Sequence, residues 1–473
     1  MGAPEDPDRT QSSGLATSAP SRAEPPRPCL IVAWIPKARD RTGEVLMAPV
    51  GAWRMFGRGR PRDDDPHPRA VLGRLRPGVV EPTGPIDVST VSRLQLRLRV
   101  RAAVIDVENR GRLPLVWNGR TVTGAEVRPG DVLALGDEVL LYCDHRRPQL
   151  DQVAVDGPTF GEADRFGLVG ESPAAWALRE DLAFVGARDR HALVLGESGT
   201  GKELAARALH AMSGRASGPF VARNAATLPD GLVDAELFGN IKGYPNPGMP
   251  ARPGLVGGAH TGTLFLDEIA ELPEALQSHL LRLLDDGEYH RLGDTRASRA
   301  DLRVVGATNR PIESLKHDVR ARFPLRVSVP SLAARRADLP LLVQHLLRRA
   351  AASDADIAER FFTDGEPRVT VGFMAWALRQ DWPGNVRELE AALWRVMAER
   401  KRGELHYAWA AESRAVAWDL GMDAAALPPE HVQACLDHFN GVQEEVWRAL
   451  GLPNRFALRR LIRRHGLLVR KAR

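Results

Sequence analysis

One stretch limits this chain more than any other: Gly196-Glu197-Ser198-Gly199-Thr200-Gly201-Lys202-Glu203. The apolar run Ala192 to Leu195 leads into it, and Leu204, Ala205, Ala208 and Leu209 follow at helical spacing. The order is strand, glycine-rich turn, helix. Such a turn points backbone N–H groups and a helix N-terminus at a phosphate chain, and the lysine reaches the outer phosphates.

A second element supports the first. Thr263-Leu264-Phe265-Leu266-Asp267-Glu268 reads as an apolar strand ending in two carboxylates. Asp267 is placed to hold Mg²⁺, directly or through water, and Glu268 to polarise an attacking water. Phosphoryl transfer needs positioning and charge stabilisation, which these residue types supply. The expected ligands are ATP and Mg²⁺, and the expected chemistry is ATP hydrolysis.

The chain has 473 residues, too many for one core, so several domains are expected. Its formal net charge of +5 favours nucleic acid as a partner without requiring it. Cys29, Cys143 and Cys435 lie far apart, which suggests neither a disulfide framework nor a zinc cluster. Residues 1–28 are rich in Pro, Ser and charge, with no apolar signal region, and are expected to be a disordered tail. No apolar run nears the ~20 residues of a membrane span, so a cytoplasmic protein with no membrane partner is expected.

From 29 to 145 the texture is short strands and turns, as in an all-β sandwich. Leu30–Ile35, Leu94–Val100, Ala103–Val107 and Val132–Tyr142 are strand-like, and Asn118-Gly119 and Pro129-Gly130-Asp131 mark turns. Residues 146–165 read as a linker. Strands and helices alternate over 166–333, as in an α/β sheet. Over 334–403 the spacing is helical, with Leu339, Leu342, Val343, Leu346 and Leu347 on one face. Residues 404–427 read as a second linker, and 428–473 hold three short helices.

Several strings are specific enough to carry a resemblance: GESGTGKE at 196–203, PFVARNAA at 219–226, AELFG at 235–239, GTLFLDEI at 262–269, GATNR at 306–310 and WPGNVRELE at 382–390. From about 166 to 403 the chain resembles the AAA+ ATPase domain of sigma-54-dependent transcriptional activators, the bacterial enhancer-binding proteins. The resemblance implies a P-loop ATPase with a helical lid, working as a homo-oligomer, in all expectation a hexamer. It makes Gly196 to Glu203 the nucleotide loop, with Lys202 on the β- and γ-phosphates and Glu203 in its usual family place. Asp267 and Glu268 become the Walker B pair, and Asn224 the residue that switches that glutamate. Asn309 becomes sensor I and Arg387 sensor II. RNA polymerase holoenzyme carrying sigma-54 is the implied partner.

Two places depart from the family pattern. Its GAFTGA contact loop aligns here with Gly243-Tyr244-Pro245-Asn246-Pro247-Gly248. Two prolines there fix φ and remove two N–H donors, so a rigid turn stands where the family has a flexible one. The pair of arginines offered to the neighbouring subunit aligns with Lys316 and Arg322. Lysine keeps the charge but loses the planar fork, which points to slow hydrolysis. A solvated helix surface is an equal reading of Lys316.

The C-terminal segment resembles a Fis-like helix-turn-helix DNA-binding domain. Its last helix carries Arg455, Arg459, Arg460, Arg463 and Arg464 outward, over Leu458, Leu461 and Ile462. The N-terminal segment resembles a forkhead-associated (FHA) domain through Phe56-Gly57-Arg58-Gly59, Val91-Ser92-Arg93, Asn118-Gly119-Arg120 and Arg128-Pro129-Gly130-Asp131. Arg58, Ser92 and Arg93 fall where that family reads phosphothreonine by charge-assisted hydrogen bonds. Its usual His is Gln95, and its peptide-gripping Asn-Gly is Leu113-Pro114. Phosphopeptide binding and a fold used only for protein contact both stay open.

The expected architecture is therefore an all-β FHA-like sandwich, an α/β AAA+ ATPase with helical lid, and an all-α helix-turn-helix. Two functions compete. One is a DNA-tethered regulator that uses ATP to remodel polymerase. The other is a DNA-binding regulator or scaffold in which ATP is an assembly switch and sigma-54 is not remodelled.

Overall fold

The computed structural model describes residues 25–151, 157–228, 232–400 and 403–405, with 432–433, 436, 443, 446–447, 458–459 and 461–463 of the C-terminal segment. Most of the tail 1–28, of the stretch 404–427 and of 428–473 lies outside the described residues, as do Cys435, Arg455, Arg460 and Arg464.

The N-terminal region is all β. An eight-stranded sheet has Arg27–Trp34 and Val139–Arg146 paired antiparallel at its centre, with Leu30 opposite Cys143. A four-stranded sheet of Gly124–Val127, Ile105–Asn109, Leu96–Val100 and Trp53–Phe56 closes the sandwich. The expected single strand Val132–Tyr142 is instead a hairpin, Val132–Leu135 and Val139–Arg146, turned at Gly136 with φ +51°. The positive φ suits glycine and reverses the chain.

The two central strands are apolar on both faces, and the structure gives each face a place. Leu30, Val32, Val139, Leu141 and Cys143 point into the sandwich. Cys29, Ile31, Ala33, Leu140 and Tyr142 point the other way, into a core shared with the helices after residue 338. Side chains alternate along a strand, so a doubly buried strand loses the polar alternation of a half-exposed one. A register shift between Val32 and Trp34 adds a residue and re-aims the chain. Trp34 thereby joins the shared core, fully buried, and its Nε1 donates to Val369 O at 2.9 Å.

The middle region is a parallel five-stranded sheet in the order Phe220–Asn224, Thr263–Asp267, Arg303–Thr308, Ala192–Leu195, Leu325–Ser328. Helix Pro173–Gly186 starts where Ser172 Oγ accepts Ala175 N–H, with proline in its first turn, an ordinary helix start. Arg303, 1% exposed, donates to Val185 O at 2.9 Å, at the end of that helix, and to Arg190 O at 2.8 Å. A cation at a helix C-terminus satisfies carbonyls that the helix leaves open.

Among the described residues four helices form the lid: Leu339–Ser353, Ala355–Phe361, Val371–Arg379 and Asn385–Arg400. Phe373, Met374, Ala377 and Leu378 of the third pack into the core that Trp34 enters. Residues 157–165 lie within this junction. Arg74 and Arg76 stack on the Phe160 ring at 5.0 and 5.5 Å, and Glu171 accepts from Arg76, from Gly161 N–H and from Trp176 Nε1 at 2.7, 2.9 and 3.2 Å. Sandwich, connection and helix Pro173–Gly186 thus meet at one carboxylate.

The described C-terminal residues are all helical, and Val432, Leu436, Val446, Leu458 and Leu461 are buried. Among the described residues no helix is long and apolar enough to cross a membrane.

Because Trp34 belongs to two regions at once, Trp34→Ala is expected to destabilise sandwich and lid together, by about 3–5 kcal/mol. Denaturant unfolding followed separately by probes in each region should show both midpoints falling.

Candidate functional site

The Ala192–Leu195 strand delivers the glycine turn at its carboxyl end, and helix Lys202–Ala211 leaves from it. Gly199 and Gly201 have φ of +76° and +103°, which side-chain-bearing residues rarely adopt. Thr200 Oγ1 donates to Glu197 O at 2.9 Å and closes the turn. Among the described residues, the N–H groups of Ser198 to Glu203 have no acceptor. They form a concave row of donors suited to an anion.

Lys202, 7% exposed, is folded back over this row. Its Nζ donates to Gly196 O at 3.1 Å and faces Glu268 Oε1 at 3.4 Å. Strand Thr263–Asp267 lies one strand away from the glycine turn, across Arg303–Thr308, and so brings its two terminal carboxylates to the same edge. Glu268 adopts φ +50°, and its Oε2 accepts Asn309 N–H at 3.2 Å. Burial raises the Asp267 carboxyl above its ordinary value, and the neighbouring Glu268 charge raises it further. One Asp267 oxygen accepts Glu268 N–H at 3.0 Å. A desolvated carboxylate beside a second one is a hard-oxygen site that a divalent cation relieves, so these residues fit Mg²⁺. Glu203 is exposed and paired with Arg207 at 2.6 Å.

The lid comes down on the glycine turn. Arg387 NH1 donates to Ser198 Oγ at 3.1 Å, Val386 N–H to Gly199 O at 3.0 Å, and the hinge residue Arg335 to Thr200 O at 3.3 Å. Lys202, Asp267, Glu268, Asn309 and Arg387 are thereby gathered around one row of amides. Asn224 caps its own turn instead: its Oδ1 accepts Ala226 N–H at 2.9 Å, while Glu268 is held by Lys202 and the Asn309 amide.

Lys316 and Arg322 flank the short helix His317–Ala321. Lys316 Nζ donates to Ser278 Oγ at 3.2 Å, and Arg322 forms a forked ion pair with Asp285. The loop Gly243–Gly248 is pinned at its base. Gly243 N–H donates to Met249 O at 2.8 Å, and Met249 N–H to Asn246 O at 3.1 Å. Asn240, 3% exposed, points its Nδ2 at Ile241 O, Tyr244 O and Pro250 O within 2.9–3.1 Å. Tyr244 lies against Gly293, where a Cβ would stand 2.6 Å from the ring. Sequence reasoning missed Asn240; its only signal was its place directly after the AELFG string.

In the sandwich, Arg58 is exposed, Ser92 Oγ accepts Arg112 N–H at 2.9 Å, and Arg93 pairs with Asp65 at 3.3 Å. Gln95 is fully buried and ties two loops together, donating to Asn109 Oδ1 at 2.8 Å and Leu113 O at 3.0 Å. Of the C-terminal arginines, Arg463 is exposed, and Arg459 Nε donates to Gln443 Oε1 at 3.2 Å.

Comparison with known proteins bears on this site. The Sigma-54 interaction domain family matches residues 168–332, and the AAA+ ATPase lid domain family matches 333–408. The transcriptional regulatory protein ZraR of Salmonella typhimurium is 35% identical over 317 residues, covering 64% of this chain and 69% of that protein. The DNA-binding transcriptional regulator NtrC of Escherichia coli is 36% identical over 291 residues, covering 58% of each. Among solved structures, NtrX from Brucella abortus in complex with ADP matches with a TM-score of 0.46 at 31% identity, over 64% of this chain and 70% of that one.

A Cβ on Gly199 would fall 2.2 Å from Gly384 O of the lid. Gly199→Ala is therefore expected to lift the lid from the glycine turn and to weaken binding of an ATP analogue by about tenfold, given ~1–2 kcal/mol for the left-handed backbone alone. Fluorescent-nucleotide titration checks it.

Proposed function

The chain belongs to the sigma-54-dependent transcriptional activators, and on that premise we propose that it is an ATP-hydrolysing, DNA-tethered regulator of RNA polymerase. The observation that carries this reading is the convergence of Lys202, Asp267, Glu268, Asn309 and Arg387 on one unpaired row of backbone amides.

In this reading the amides of Ser198 to Glu203 hold the phosphates, and Lys202 moves from Glu268 to the β- and γ-oxygens as they arrive. Asp267 holds Mg²⁺, which when bound neutralises phosphate charge. Glu268, released by Lys202, orients and polarises the attacking water, and Asn309 monitors the γ-phosphate. Arg387 reaches the nucleotide from the lid. Arg322 and Lys316 serve the neighbouring subunit's site in a ring, the hexamer being the expected size. Arg322 must leave Asp285 to do so. The N-terminal sandwich acts as the FHA-like sensing module, through Arg58, Ser92 and Arg93 if its ligand is phosphothreonine. Residues 428–473 bind enhancer-like DNA as a helix-turn-helix, in the cytoplasm.

A second reading rests on the loop 243–248. With Pro245 and Pro247 fixed in φ and Asn240 pinning its base, the loop lacks the freedom a contact loop uses. ATP would then control assembly on DNA without remodelling sigma-54.

One measurement tests the ATP site that both readings share, and a second separates them. Glu268→Gln is expected to keep ATP binding while lowering hydrolysis by about 10²-fold or more, as loss of a general base does. Purified protein with ATP should form open complexes at a sigma-54 promoter under the first reading. Robust ATPase activity without open complexes would move the assignment to the second, and Pro245→Phe with Asn246→Thr should then restore open complexes if the loop alone is at fault.

A further inference from the structure

The lid enters helix Asn385–Arg400 through a turn that holds two non-glycine residues in the left-handed region, Trp382 at φ +51° and Asn385 at φ +54°. Such backbone persists only where surrounding contacts over-determine it. Asn385 is 1% exposed. Its Oδ1 accepts Leu332 N–H at 2.7 Å. Its Nδ2 donates to Glu197 Oε2 and to Ser198 O, each at 3.0 Å, with Pro383 O further off at 3.4 Å. These partners fix which way the amide points: a backbone N–H can face only its oxygen, and a carboxylate and a carbonyl only its NH₂. One side chain therefore joins the hinge at Leu332, the lid turn and the glycine loop.

Glu197 gives this arrangement its chemical meaning. It is a carboxylate inside a turn built to bind anions. Left free, it competes with a phosphate for the open amides and repels it. We propose that Asn385 is a positioning residue for nucleotide: it tethers the Glu197 carboxylate toward the lid and away from the phosphate row. Ser198 O, held by the same NH₂, fixes the turn so that the amides of Ser198 to Glu203 face outward. Lid docking and an emptied anion site become one event, because the same amide serves both. A neutral donor is needed here. Aspartate would set two carboxylates against each other, while asparagine also tolerates the positive φ.

The inference rests on the reading of residues 196–203 as a nucleotide site, and its test separates the two. Asn385→Gly keeps the positive φ without strain and removes the side chain; it is expected to raise the Kd of full-length protein for a fluorescent ATP analogue about tenfold, through loss of the hydrogen bonds with Glu197, Ser198 O and Leu332 N–H. Glu197→Ala removes tether and competitor together, and its own Kd is the reference against which the double variant is read. The decisive case is Asn385→Gly with Glu197→Ala: removing the freed carboxylate should recover most of the lost affinity. A merely structural Asn385 predicts no recovery, and a double variant as weak as Asn385→Gly overturns the proposal. Asn385→Asp provides a second route, expected to bind more weakly than Asn385→Gly and to be rescued by Glu197→Gln, with donor and acceptor exchanged; absence of rescue counts against the proposal. Hydrogen exchange at the Val386 amide, which donates to Gly199 O, follows the tie without nucleotide. It should quicken in Asn385→Gly, and unchanged exchange overturns the tether. Failure of the wild-type protein to bind the analogue would remove the nucleotide reading alone, and the exchange measurement would still judge the tether.

Discussion

The approach of the lid backbone to the glycine turn is the contact on which the site depends. Val386 N–H meets Gly199 O, and Gly384 O stands where any side chain on residue 199 would be. Only a glycine loop lets two backbones come this close. The approach brings Arg387 to Ser198 and Asn385 to Glu197, so groups separated by nearly the whole ATPase in sequence share a few ångströms. The same closeness makes the site sensitive to lid tilt, because hydrogen bonds weaken steeply with small displacements.

Around this contact the protein uses buried charge sparingly, mostly to bind backbone ends. Arg303 caps helix and loop carbonyls under the parallel sheet. Arg335 reaches from the hinge to Thr200 O, and burial lowers its pKa. Asp338, 1% exposed, accepts the N–H groups of Glu171 and Ser172, both at 2.8 Å. Each of these would be expensive to bury alone. Arg303 and Asp338 are instead surrounded by partners with fixed geometry, which makes their junctions stiff, whereas the buried Arg335 Nε has no hydrogen-bond partner among the described residues.

Much of the site was readable because its chemistry is local. The glycine turn, the acidic end of strand Thr263–Asp267 and the GATNR string each state their role within a few residues. Arg387 needed the resemblance to be given one at all. What escaped was set by contacts between distant segments. Asn385 lay in plain view within WPGNVRELE, but its partners are Glu197, Ser198 and Leu332. The apolar Leu30–Ile35 run announced a strand without revealing that its second face lies under the lid. The bulge that turns Trp34 outward has no sequence signature of its own. The strand-like stretch Val132–Tyr142 hid a reversal at Gly136-Asp137-Glu138, because the apolar runs Val132–Leu135 and Val139–Tyr142 on either side outweighed that short turn signal. The polar texture of 146–165 reflected many turns, yet Phe160 and Asp164 both find partners, the latter Arg179 at 3.1 Å.

The shared core between the sandwich and the lid has a consequence for how such a chain can be taken apart. Cys29, Ile31, Ala33, Trp34, Leu140 and Tyr142 form one wall of a core whose other wall is Phe373, Met374, Ala377 and Leu378. A truncation placed at the apparent boundary near residue 146 would bare both walls to water, and two exposed apolar faces cut from one interior tend to find each other again or to aggregate. The N-terminal module is therefore not interchangeable cargo. A different module could be grafted onto this ATPase only if it brought a matching apolar face and an indole at the position of Trp34. The unit that can be expressed, exchanged or inherited intact runs from the first strand through the end of the lid.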